Sequence, residues 1–142
     1  MATTNATINI TSDISPGVNV SKSMTMHKLQ SSEGVEETGG LRTKKFTAAD
    51  AVVVVEEDEY TNSKASKLYM RNTGSSTSNF FYVTTHASAA ASDTDAGTNG
   101  ITIGKLYGGD WMLIPYLADV NITVAPNTAE TMTLEWMVFA EN

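Results

Sequence analysis

Residues 120–139 read VNITVAPNTAETMTLEWMVF, and the reading of this stretch decides the fold class. Val120, Ile122 and Val124 alternate with Asn121 and Thr123, and Met132, Leu134, Trp136 and Val138 alternate with Thr133 and Glu135. Successive side chains of a strand point to opposite faces, so each run has one apolar and one largely polar face, as half-buried antiparallel strands do. The pattern predicts Ile122, Val124, Leu134, Trp136 and Val138 in the core. The link at residues 125–129, APNTA, has Pro126 at an early turn position and Asn127 in its tight part. It predicts a hairpin joining the two strands.

Working upstream, residues 110–114 form another strand, and Pro115 ends it or marks it as an edge, because proline has no N–H for the ladder. Gly108 and Gly109 make the turn before it, and Ile101, Ile103 and Leu106 belong to the preceding strand. Residues 87–100, ASAAASDTDAGTNG, are too small and polar to pack and predict a surface loop. Residues 67–71 and 79–85 are two strands around the loop NTGSSTS, the second with Phe80, Tyr82 and Thr84 on one face and Phe81, Val83 and Thr85 on the other. Aromatic residues on both faces imply either that both are covered or that one side meets another chain. The run AVVVV at residues 51–55 suits a strand covered on both faces or one between subunits, since β-branched side chains disfavour helix. Glu56, Glu57, Asp58 and Glu59 follow it as a solubilising block.

Residues 42–47 form a strand around Phe46, and residues 31–40, SSEGVEETGG, an acidic exposed loop. Residues 18–28 alternate with Val18, Val20, Met24 and Met26 on one face, which Lys22 interrupts in the manner of an edge or bulged strand. Residues 4–11 form a short strand around Ile8 and Ile10. No stretch carries helical periodicity. The whole predicts an all-β, antiparallel sandwich of jelly-roll-like or Greek-key arrangement, with residues 18–142 as one domain and residues 1–17 as a flexible arm or short edge strand.

Composition excludes several kinds of chemistry. The 142-residue chain has the length of one domain and is long enough to bury a real core. It has no cysteine, which removes disulfides, thiolate metal sites and cysteine nucleophiles. The net charge of -7 opposes nucleic-acid binding, and the basic group Arg42, Lys44 and Lys45 has no aromatic platform beside it. The first residues lack a basic segment and an apolar one, and no run approaches the ~20 apolar residues of a membrane span, so a soluble, unsecreted protein is expected.

His27 and His86 are the only histidines, and no G-x-S-x-G elbow is present, so no catalytic residue is assigned. Asp93, Asp95 and Asn99 are the candidate metal ligands of a calcium loop. Gly97 supplies no side-chain oxygen there, and Leu106 stands where a bidentate glutamate is needed. No cofactor is expected. Trp111 and Trp136 suit stacking on a sugar, although large aromatic residues of a sandwich usually lie in its core.

A chain that begins MATTNATINITSD, continues through KLYMRNTGSSTSNFFYV and closes with GGDWMLIPYLADVNITVAPNTAETMTLEWMVF resembles small virion structural proteins of tailed bacteriophages. The resemblance covers the first dozen residues and roughly the last two-thirds of the chain, and it rests on style rather than on an invariant motif. It implies a head decoration, or cement, protein that sits on the outer capsid surface of the virion after assembly in the host cytoplasm. The partners it implies are the major capsid protein and further copies of the chain, a trimer before a dimer. The contact elements expected for that role are the arm at Ile8 and Ile10, the loop at Val35 and the strand at Val53. Two other readings compete: another virion part, in the neck, tail or fibre, and a carbohydrate-binding module, which requires Trp111 or another aromatic residue exposed on a platform.

Overall fold

The computed structural model of the chain describes residues 4–12, 19–26, 37–57, 59–61, 66–87 and 100–140. Its strands are β1 (Asn5–Thr11), β2 (Asn19–Thr25), β3 (Glu37–Thr38), β4 (Arg42–Phe46), β5 (Val52–Val55), β6 (Ser66–Asn72), β7 (Phe80–Ala87), β8 (Ile101–Tyr107), β9 (Trp111–Tyr116), β10 (Val120–Pro126) and β11 (Met132–Ala140). No helix occurs among the described residues, and every pairing is antiparallel.

Two sheets face each other. One has the order β5-β10-β7-β8. The other has β11 between β6 and the edge formed by β3 and β4, with β9 beyond β6. From β4 onward the chain changes sheet at every connection except β7 to β8, giving the double Greek key of a jelly roll. β3 and β4 pair with the two ends of β11 and act as one edge strand interrupted at Gly39 and Gly40. Gly40 has φ of 70°, where an L side chain would be strained.

The inward faces carry the residues that periodicity assigned to them. Ile122, Val124, Leu134, Trp136 and Val138 are all buried, together with Leu68, Met70, Phe81 and Val83. Phe46 of β4 meets Phe81 of β7 edge-on, at 5.1 Å between centroids, and so links the two layers. On the outside of the other sheet, Phe80 packs on Tyr82 and Tyr107, and Lys105 Nζ lies 4.5 Å from the Phe80 centroid. That cation–π cover is why β7 carries aromatic residues on both faces.

The hairpin expected over residues 120–139 does not form. β10 pairs with β5 and β7, and β11 pairs with β6 and with β3 and β4, so the two strands lie in opposite sheets. The connection is an arch across the sandwich edge. Alternation fits both arrangements equally, because it shows which face is buried and not whether the neighbouring strand lies beside it or opposite. Asn127 decides the matter locally: Phe80 N donates to its Oδ1 (2.8 Å), its backbone N donates to Phe80 O (3.0 Å), and its Nδ2 donates to Ser78 O (3.2 Å). The turn is thereby fastened to the start of β7 and delivers the chain to the other layer.

A second difference concerns the N-terminal region. β2, which the sequence placed with the sandwich, pairs with β1 in a separate two-stranded ribbon.

Candidate contact surfaces

The ribbon is amphipathic. Register places Ala6 opposite Met24, Ile8 opposite Lys22 and Ile10 opposite Val20, so these six residues share one face. The other face is held by polar pairs: Thr7 and Ser23 hydroxyls lie 2.8 Å apart, and Ser21 Oγ donates to Asn9 Oδ1 at 2.6 Å. Such cross-strand pairs stabilise a hairpin modestly, about 0.2–1 kcal/mol each. The apolar face is left open, with Ile8, Ile10, Val20 and Met24 each 38–46% exposed. Lys22 stands in the middle of it, as an edge-protecting lysine does.

Between this ribbon and β9 lies a groove of about 560 Å³, with Ala6, Ile8, Lys22 and Met24 on one side and Tyr69, Trp111, Met112, Leu113 and Ile114 on the other. Among the described residues β9 pairs only with β6, so its other edge has unpaired backbone groups facing the groove.

The outer face of the β9-β6-β11 layer carries a polar row. Register sets Trp111 opposite Arg71, and Arg71 opposite Glu135. Arg71 Nη1 lies 3.6 Å from Glu135 Oε1, and Tyr69 Oη donates to the same oxygen at 3.1 Å. Burial, reinforced by the bond to Glu135, pushes the Tyr69 phenol above its ordinary pKa and keeps it a donor. Trp111 is 50% exposed, contrary to the expectation that both tryptophans are core; Trp136 is 8% exposed. WMLIPY at residues 111–116 is apolar at nearly every position, so no alternation reveals which members of β9 face outward.

Val53 lies half-buried in β5, an edge strand that pairs only with β10 among the described residues. Val35 lies outside the described residues, as do His27, Asp93, Asp95 and Asn99. Among the described residues no group of three or more His, Asp or Glu side chains gathers to hold a metal ion. His86 is buried, and its Nδ1 lacks a hydrogen-bond partner. Gly100 lies against it: a Cβ there would fall 2.6 Å from His86 Cε1 and 2.5 Å from Thr84 Cγ2.

Of the basic group, Arg42 Nη2 pairs with Glu59 Oε1 at 2.5 Å, and Lys44 Nζ lies 5.7 Å from the Phe46 ring centroid. Two of the three cations are therefore engaged within the chain. No protein-family model matches the chain, and no curated protein or solved structure matches it.

Proposed function

We propose that the protein is a non-enzymatic virion structural component, a head decoration protein that binds the outer capsid lattice of a tailed bacteriophage and reinforces it. The observation that carries this reading is the ribbon: an amphipathic hairpin, backbone-paired only to itself among the described residues, with its apolar face open beside the unpaired edge of β9. An extended segment of the major capsid protein fits between these two walls, taking backbone bonds from β9 and apolar cover from the ribbon. The jelly roll behind it is a rigid support, and the net charge of -7 opposes binding to the packaged nucleic acid.

Magnitudes favour an oligomer. Fully burying an aliphatic side chain contributes about 1.5–3 kcal/mol, so four side chains with two-fifths of their surface left to bury contribute roughly 2–5 kcal/mol per ribbon. Set against the cost of association, one ribbon gives millimolar binding at best. A trimer seated at a local threefold axis engages three ribbons at once, and effective concentration turns three weak contacts into a stable one.

The test is co-sedimentation with expanded, undecorated heads assembled from the cognate major capsid protein. Wild-type protein should bind and raise the heat resistance of the heads, whereas the double variant Ile8→Asp/Ile10→Asp should fold normally and fail to bind. Wild-type protein that binds heads at no stage of maturation rules the reading out, and its detection at the neck, tail or fibres by electron microscopy reassigns it to those parts.

A further inference from the structure

We propose that Trp111, with Arg71, Glu135 and Tyr69, forms a binding site for a pyranose ring on the outer face of the β9-β6-β11 layer. A half-exposed tryptophan on a sheet face adds nothing to the core, yet its neighbours are arranged around it in an ordered way. Arg71 is its cross-strand partner and Glu135 is the next residue in the same row. Tyr69 donates a hydrogen bond to Glu135 Oε1 and Arg71 forms a longer ion pair with the same oxygen, so Glu135 links the two side chains before a ligand arrives. Oε2 can then accept from a ligand hydroxyl. The Arg71 side chain is 47% exposed, which leaves N–H groups to donate.

The chemistry matches a sugar on both of its surfaces. One face of a pyranose in the glucose or galactose series presents axial C–H bonds whose partial positive charge is attracted to the negative face of an indole ring. Its rim presents hydroxyls that both donate and accept, and they need a carboxylate and a planar cation at the edge of the stacking platform. The open depression beside the indole is bounded by Tyr69, Arg71, Gly109 and Trp111. Gly109 keeps that boundary low: it has φ of 87°, and a Cβ there would meet nothing within 4 Å. The wall at Arg71 is polar, unlike the ribbon face, where an apolar protein segment is the better fit.

Trp111 and Trp136 give the experiment an internal control, since only the first reaches solvent. The full chain is titrated with cellotriose, maltotriose, chitotriose and lactose while tryptophan emission and the indole N–H resonances are followed. At least one sugar should give a saturable change confined to the Trp111 signal. Trp111→Ala should abolish it without changing the melting temperature, and Arg71→Ala should weaken it by about tenfold or more, the worth of a hydrogen bond from a charged donor. No saturable change with any of the four sugars overturns the proposal, as does a change that persists in Trp111→Ala. Flat sugar titrations together with loss of head binding in Trp111→Ala would overturn it in favour of a protein contact.

Discussion

Replacing Asn72 tests whether a single buried amide joins the two layers at the end of the sandwich. Asn72 ends β6 and is 2% exposed; its Nδ2 donates to Leu106 O in the opposite sheet at 3.0 Å, and its Oδ1 accepts from Gly74 N at 3.0 Å. Its backbone N donates to Asp110 O and its O accepts from Gly109 N, both at 3.0 Å, which ties the same residue to the β8–β9 turn. Asn72→Ala removes both side-chain bonds. The Leu106 carbonyl loses a buried donor at a cost of about 1–3 kcal/mol, and the partly buried Gly74 amide loses about 0.5–1.5 kcal/mol, roughly 2–4 kcal/mol together. Asn72→Asp separates the two contacts, because it keeps the acceptor for Gly74 and turns the donor into an oxygen facing an oxygen. Ionised, it is a buried charge against a carbonyl; protonated, its O–H can donate to Leu106. The folded-state pKa of that aspartate is therefore raised above its unfolded value of about 3.9. A raised acid favours the folded state only below the unfolded pKa, so the deficit relative to wild type should be smallest at about pH 4 and below, and grow as pH rises. A tenfold change in an ionisation constant corresponds to about 1.4 kcal/mol, so an ionisation cost of about 3 kcal/mol in the fold makes the deficit level off above about pH 6. Urea unfolding of both variants and wild type at matched pH, followed by Trp136 emission, measures all of this. Asn72→Ala within about 0.5 kcal/mol of wild type, or an Asn72→Asp deficit that does not shrink in acid, refutes the reasoning.

Leu134→Ala, at a fully buried position in the middle of β11, should cost about 2–5 kcal/mol in urea unfolding without changing the fold. Asn127→Ala removes the side-chain bonds to Phe80 N and Ser78 O, but at an exposed site where water replaces them, so about 0.5–1.5 kcal/mol is expected, with faster amide exchange at Phe80. Tyr69 should titrate above the ordinary phenol range in an alkaline absorbance titration, and Tyr69→Phe should remove that late step. Since folding raises this phenol, the stability it contributes is full below about pH 10 and is lost as pH rises through its folded pKa.

The strands were legible in the sequence because a sandwich writes its layers as alternation, and β6, β10 and β11 carry it with few interruptions. The partners of those strands were not. Val120 to Val124 and Met132 to Val138 look the same whether they pair side by side or face each other across the core, and residues 125–129 carry no glycine to demand a two-residue hairpin turn. What sends the chain across is Asn127 bonding to Ser78 and Phe80, residues almost fifty positions earlier, and no local pattern records a contact of that range. The pairing of β1 with β2 was within reach. Ile8 and Ile10 alternate on one side of the Pro16–Gly17 break and Val20 and Met24 on the other, and in the observed register all four share one face.

Trp111 shows where single-strand reading stops. Alternation assigns a face only when the two faces differ in polarity, and Trp111, Met112, Leu113, Ile114, Pro115 and Tyr116 do not differ enough to choose. The information lay in the neighbours: Arg71 and Glu135 are the polar members of well-alternating strands, and whatever pairs with them must also face outward. Once β9 is known to lie beside β6, and Arg71 opposite Trp111, the exposure of the indole follows with no further assumption. The apolar character of β9 then serves different ends on its two faces. Met112 and Ile114 pack against the core as well as bordering the groove, while Trp111 and Leu113 border the groove without joining the core. Substitutions at Met112 should therefore act on stability and those at Trp111 on binding, a separation expected of a strand whose outward residues were not needed to build the fold.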